Sequence, residues 1–302
     1  MLATFADPIL PIFAILALGY VLHRSGLFDV PIAQAINKFV FFVATPALIF
    51  AIISGGAIAQ LDIAALGLYF AAQVIAYVGT ALFMHRILGR EKGEALLLGM
   101  TATFVNHVFF VLPIAERIYG TAAAQPIAGI VLVDVGFWFC GTVLAVDLMQ
   151  AKNPSPLKVA GLLLKNPFLI AATLGVLAWV AGPVIPKGVF TYAKFAGGAA
   201  APAALFSLGI ILASNPVRPI GMATWSVVMV KIVLHPALVF SFAGLVTLSA
   251  DWDDMVLLVA AGPCGAMPFV IALQYGIRTE TIVKAVLVST LFSLLTLSVL
   301  TA

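Results

Sequence analysis

Apolar residues run through this chain almost without interruption, broken at intervals by short clusters of charge, glycine and proline. The runs are continuous rather than alternating, so they read as helices and not as the strands of a barrel. A helix that spans a bilayer takes about 20 largely apolar residues. Ten runs qualify: Pro8–His23, Ile32–Ile53, Ala64–Ile87, Glu94–Arg117, Gln125–Met149, Leu157–Ala181, Thr191–Leu212, Ile220–Leu248, Trp252–Tyr275 and Thr281–Ala302, numbered here as spans 1 to 10. Turn chemistry marks the breaks, as at Arg24–Asp29, Gly89–Lys92, Tyr119–Gly120 and Ser249–Asp254. No break is long enough for a second, soluble domain, so residues 1–302 read as one transmembrane domain.

Composition agrees with this pattern. Only 9% of residues are charged and 63% are hydrophobic, against about 25% charged in an ordinary soluble domain. Most of the surface must face lipid. The net charge of +3 gives no reason to expect nucleic acid. Cys140 and Cys264 both fall inside apolar runs and offer neither a metal framework nor a disulfide one; no metal and no bound cofactor are expected. The first run lacks the basic residues of a cleaved signal, so it is kept as a helix. Assigning alternate loops to one side collects Arg24, Lys38, Arg86, Arg90, Lys92, Lys152, Lys158, Lys165, Arg218, Arg278 and Lys284 there, and only Arg117, Lys187 and Lys194 on the other. The richer side is cytoplasmic by the positive-inside rule, which leaves both termini outside the cytoplasm of a multi-pass inner-membrane protein.

The chain also resembles itself. Shifted by 156 positions, Pro11 meets Pro167, Leu18–Gly19 meets Leu174–Gly175, Gly26 meets Gly182, Lys38 meets Lys194, Pro46–Ala47 meets Pro202–Ala203, Phe50 meets Phe206, and Tyr119–Gly120 meets Tyr275–Gly276. Residues 1–150 and 157–302 therefore read as two repeats of five spans. An odd number of spans places the second copy upside down, an arrangement that recurs in secondary transporters with the substrate near mid-membrane.

Spans 4 and 9 carry helix breakers in equivalent places: Asn106, His107 and Pro113 in one, Pro263, Cys264, Gly265 and Pro268 in the other. A proline inside a helix frees backbone groups that cost several kcal/mol in hydrocarbon unless something satisfies them. Two matched breaks point to a cavity lined by backbone and by the positive ends of half-helices, which suit a carboxylate; a simple kink is the plainer reading of either alone. Asn106 can bind substrate, cap a half-helix or bridge helices. His107 can bind substrate, titrate near neutral pH or be a satisfied structural histidine. Lys231 lies about a dozen residues into span 8, too deep to reach the interface easily, and calls for a substrate carboxylate or a partner such as Asp134. His235 precedes Pro236 and can satisfy freed backbone groups. Gln274 and Thr103 are further candidates, while Asp147, Glu116 and Arg117 lie near span ends.

The stretches Leu10–Tyr20, Ser25–Leu27, Pro46–Phe50, Asn106–Pro113, Asn166–Pro167, Pro202–Gly209, Lys231–Pro236 and Pro268–Gly276 resemble, in order and spacing, the auxin efflux carrier family of membrane transport proteins, which includes bacterial malonate-type carriers. The resemblance implies that spans 4 and 9 are interrupted and cross. It implies a scaffold of spans 1, 2, 6 and 7, a moving transport domain of spans 3–5 and 8–10, elevator-type exchange and a small organic anion as substrate. Where the family often has a small or polar residue after the span 4 asparagine, this chain has His107 and then Val-Phe-Phe. The expected function is an organic-anion carrier, with a possible coupling H+ or Na+ at Asp134 and a homodimer through the scaffold as the assembly considered. The alternatives are a cation-coupled symporter or antiporter of the related inverted-repeat superfamily and a transport-inactive sensor. Enzyme signatures such as His-Glu-x-x-His and Gly-x-Ser-x-Gly are absent from the sequence, and no span has the polar stripe of an open channel.

Overall fold

A computed structural model describes residues 2–56, 61–120, 123–150, 161, 164–214 and 219–300. The described chain is helical throughout, in the order α1 (Leu2–Arg24), α2 (Val30–Ser54), α3 (Ile63–Arg86), α4 (Lys92–Thr101), α5 (Leu112–Tyr119), α6 (Pro126–Gln150), α7 (Pro167–Ala181), α8 (Lys187–Ser214), α9 (Met222–Ala243), α10 (Ala250–Ala260), α11 (Met267–Gln274) and α12 (Glu280–Leu300). Of these, α2, α3, α6, α8 and α9 are long and apolar enough to cross a membrane by length and composition.

Local chemistry sets the helix starts. Asp29 caps α2 by accepting from the Ile32 amide, and Pro31 adds no unsatisfied donor in the first turn. Asp62 caps α3 through the Ala65 amide. Asn166 caps α7 through the amides of Phe168 and Leu169, ahead of Pro167. The sequence pattern starts span 6 at Leu157; residues 157–160 lie outside the described residues, Gly161, Leu164 and Lys165 are helical, and the Asn166–Pro167 cap then starts α7.

Prolines shape the interiors. A proline clashes with the carbonyl four residues back. The helix widens to a π-turn at Val40–Ala44 before Pro46, at His107–Val111 before Pro113 and at Val230–Leu234 before Pro236. A fourth π-turn, Asp134–Phe139 inside α6, has no proline to cause it.

Two packing groups follow. In the first, α1 lies on α8, and α2 lies on α7 and α8. Glycines permit the closest approaches: a Cβ on Gly19 would stand 2.2 Å from the Phe206 carbonyl oxygen, and one on Gly209 would stand 2.1 Å from that of Leu16. On the other pair, a Cβ on Gly175 would meet Ile53 at 2.9 Å and the Phe50 carbonyl at 3.4 Å. Close approach of small residues is how helices associate when lipid provides no hydrophobic drive. In the second group, α3 packs on α4 and α9, α6 on α10, and α12 on α9 and α4.

Candidate functional site

Between the two groups, two non-helical segments run past each other. After α4 ends at Thr101 the chain is extended at Phe104–Asn106; after α10 ends at Ala260 it is non-helical through Gly265. Val105 and Cys264 form an antiparallel bridge. The Asn106 amide donates to the Pro263 carbonyl at 3.0 Å, and the Gly265 amide donates to the Phe104 carbonyl at 2.8 Å. Each segment thus satisfies backbone groups the other leaves free, which is what an apolar surrounding demands. Glycine is required at the contact: a Cβ on Gly265 would lie 2.8 Å from the Val105 carbonyl oxygen. The helices that end here have only 8 to 11 residues, so each is about half a membrane long.

A narrow cleft, partly continuous with the outside, opens against this crossing. Thr45, Ile49 and Ile52 of α2 and Ala201 and Leu205 of α8 form one wall. The crossing supplies Phe104–His107 and Gly265–Met267, and α6 supplies Val131, Val135 and Phe139. The lining is apolar except for the side chains of Thr45, Asn106 and His107 and the backbone at the start of α11. Of the first amides of α11, Pro268 has none and that of Phe269 donates to the Ala266 carbonyl at 3.1 Å, which leaves the Met267 amide as the helix-start donor of the kind that favours an anion.

Behind the cleft lies a buried polar network. His107 Nε2 stands 2.9 Å from Asp134 Oδ2; the contact is off the line of a hydrogen bond, so it is an electrostatic one. Asp134 Oδ1 accepts from Gln73 Nε2 at 2.6 Å, and Gln73 Oε1 accepts from Trp138 Nε1 at 2.7 Å. Lys231 is fully buried, and its Nζ donates to the Ala260 carbonyl at 2.8 Å and to His235 Nδ1 at 3.2 Å. Its ammonium therefore sits on the carbonyl end of α10, where the helix dipole favours a cation. The His235 ring packs edge-on to Tyr69 at 5.4 Å between centroids. His107, Asp134 and Lys231 all occupy π-turns, where the extra residue per turn redirects side chains inward and function is frequently found.

The family described as "Membrane transport protein" matches residues 4–301. The chain belongs to this family, the auxin efflux carriers. A protein of Rhizobium meliloti (strain 1021) named "Putative malonate transporter" is 29% identical over 98% of this chain and 95% of its own length. The Arabidopsis thaliana protein "Auxin efflux carrier component 8" is 25% identical over 94% of this chain and 93% of its own. Among solved structures, the sodium proton antiporter MjNhaP1 from Methanocaldococcus jannaschii has a TM-score of 0.61 at 15% identity, covering 95% of this chain and 92% of that one; at that identity the likeness concerns the fold. This family member is a multi-pass membrane transporter that binds a small substrate, and not an enzyme.

In this carrier-family chain the sequence candidates take up different places. Asn106, His107 and Gly265 line the cleft. Pro263 and Cys264 belong to the crossing itself: Pro263 gives its carbonyl to Asn106, and the Cys264 amide donates to Ser289 Oγ at 3.1 Å. Pro268 stands in the first turn of α11, where a proline lacks nothing the helix needs, whereas Pro113 follows the π-turn His107–Val111, which accommodates its ring. Gln274 ends α11, about 10 Å along the axis from its start, and does not reach the cleft. Lys231 does not line it either. The considered Lys231–Asp134 pair is not a direct contact, because Lys231 is spent on Ala260 and His235 while Asp134 holds Gln73 and His107. Thr103 caps α4 through the Gly99 and Met100 carbonyls, both at 3.3 Å. Gln73 and Trp138 escaped the sequence reading; the available signal was a lone amide in the middle of apolar span 3.

Proposed function

We propose that this transporter carries a small organic anion, a mono- or dicarboxylate, across the cytoplasmic membrane by elevator-type alternating access. The observation that carries the reading is the cleft: apolar walls, one imidazole, one amide and the start of a helix converge where two non-helical segments cross. Such a site recognises a compact carboxylate through the Asn106 and His107 side chains and the Met267 amide at the start of α11, and excludes competing water. The Rhizobium meliloti relative named for malonate agrees in substrate class.

The architecture proposed is ten spans in two inverted repeats, with spans 4 and 9 broken and crossing and both termini extracytoplasmic. The contact of Gly19 with Phe206 and that of Gly175 with Phe50 exchange under the 156-residue shift, as a two-fold relation between repeats requires. Spans 1, 2, 6 and 7 pack on one another and form the scaffold; spans 3–5 and 8–10 form the transport domain. The cleft lies between the two, so sliding of one group past the other moves it across the bilayer. A cation-coupled carrier is the second reading, favoured by the buried carboxylate of Asp134 beside the cleft.

The test is uptake of labelled malonate into proteoliposomes. Saturable uptake, inhibited by other small carboxylates, is expected. A folded, correctly inserted protein that takes up neither malonate nor any of a panel of mono- and dicarboxylates would retire the carrier reading in favour of a sensor.

A further inference from the structure

Among the described residues the cleft has three polar side chains, and of these only His107 can change its charge. It faces two ways. It borders the cleft, and its Nε2 lies 2.9 Å from Asp134 Oδ2 in a contact that is not a formed hydrogen bond. The rest of the network fixes what this contact can do. Gln73 occupies Asp134 Oδ1, and Trp138 holds Gln73, so the carboxylate presents Oδ2 to the imidazole and is not free to turn away.

Charge accounting covers every element packed around the dyad. Tyr69 on α3 has its ring against His235. Cys264 lies in the crossing, its amide bound to Ser289. On α9, Lys231 donates to His235 Nδ1, which as the acceptor leaves that imidazole neutral, and to the Ala260 carbonyl. The charges that remain are the Lys231 ammonium and the Asp134 carboxylate, which balance. A carboxylate entering the cleft therefore brings uncompensated negative charge into a surrounding of low dielectric, an expensive state. A proton on His107 offsets one of those negative charges, which is all of the imbalance for a monocarboxylate and half of it for a dianion such as malonate. The imidazolium has two N–H donors: Nε2–H serves Asp134 Oδ2, and Nδ1–H becomes available to the anion.

We propose that His107 takes up one proton together with each anion bound, so that the dyad His107–Asp134 makes this an anion–proton co-transporter. This rests on the anion-carrier reading above and specifies its coupling ion. The proton comes from solvent on the side where the anion enters, joins the imidazole, and leaves with the anion on the other side; no covalent bond to carbon forms or breaks. Gln73 and Trp138 are positioning residues acting through Asp134.

The experiment is titration calorimetry of the purified full-length protein with malonate near neutral pH, in buffers of different ionisation enthalpy, which counts protons bound per anion. About one proton per malonate is expected for the native protein, because one neutral imidazole accepts one proton. His107→Gln, or His107→Asn where that variant folds better, should bind malonate about tenfold or more weakly and with almost no proton uptake. Asp134→Asn, with its melting temperature checked, should move the midpoint of proton uptake down by about one pH unit or more, because the imidazolium loses its counter-charge. Malonate binding with no proton uptake in the native protein overturns this inference and leaves the carrier reading standing. Proton uptake that persists in His107→Gln places the proton on the anion itself and also overturns it. No binding of malonate or of any panel carboxylate by native protein overturns the carrier reading and this inference together.

Discussion

The two crossing segments do the same structural work with different chemistry. At the first, the end of α4 is closed by a neutral hydroxyl, Thr103 on the carbonyls of Gly99 and Met100, and the chain then places Asn106 and His107 at the cleft. At the second, the end of α10 is closed by a buried cation, Lys231 on Ala260, and the chain passes through Gly262-Pro-Cys-Gly265 with little side chain to offer. Two halves related in sequence have thus divided the labour. The first segment brings one ionisable side chain, His107, and one amide, Asn106, to the cleft; the second is mainly backbone, with the Lys231 charge anchored in the helix end beside it. Matching backbone courses can carry different chemistry because packing depends on size and backbone course, whereas charge depends on single positions.

The comparison breaks most severely at the glycine side. Gly265→Val should cost about 3 kcal/mol or more, as overpacking against backbone does, since the added Cβ meets the Val105 carbonyl 2.8 Å away. Thermal unfolding in detergent reads this; a melting temperature equal to that of the native protein would mean the segments are not held together as described. Lys231→Met comes next, at about 2 kcal/mol for an unsatisfied buried acceptor and a helix end without its cation. Here a double-mutant cycle sharpens the distinction between the halves. His107 and Asp134, in contact, should show a coupling energy of about 0.5 kcal/mol or more, larger than the coupling between Lys231 and Asp134. Equal couplings would put Lys231 in the same functional unit as the dyad. Thr103→Val should cost about 1 kcal/mol, the worth of one hydroxyl bonded to backbone, and a loss as large as that from Lys231→Met would refute the division between a neutral and a charged cap.

The smallest effect concerns Asp62, outside the membrane-spanning helices. The Ala65 amide, with further help from Ser249, holds its carboxylate below the ordinary value of 3.8. A carboxylate that is more acidic in the folded protein stabilises it above the unfolded value, and that contribution is lost as pH falls through the folded one. The melting temperature should therefore drop between pH 5 and pH 3 more steeply in the native protein than in Asp62→Asn; parallel curves would show that the cap, which also ties α3 to Ser249 ahead of α10, contributes nothing.

Several of these features could be read from the sequence because they are local. Twenty apolar residues in a row can only be hidden in lipid or in a core, which set the membrane class. Asn166-Pro167 starts a helix wherever it stands. The Gly262–Gly265 signal falls on a segment that is not helical, because a missing Cβ acts on its own chain within one turn, whereas Pro113 lies beyond the first break and is met by a π-turn. The 156-residue register needed only identities, and it brought Gly19 and Gly175 into correspondence before their contacts were known. The remainder was settled by the tertiary structure. Lys231 and Asp134 both stood out as buried charges, but whether they pair depends on how α9 lies against α10 and on His107 being brought to Asp134 across 27 positions of chain. Gln73 gains its meaning from Trp138 and Asp134, both on another helix. The π-turn at Asp134, which no proline announces, turns that carboxylate toward the crossing. Hydrophobic pattern and breakers act along the chain and are written in it; the partner of a buried charge is chosen by whichever polar atom packing delivers, and that requires the fold.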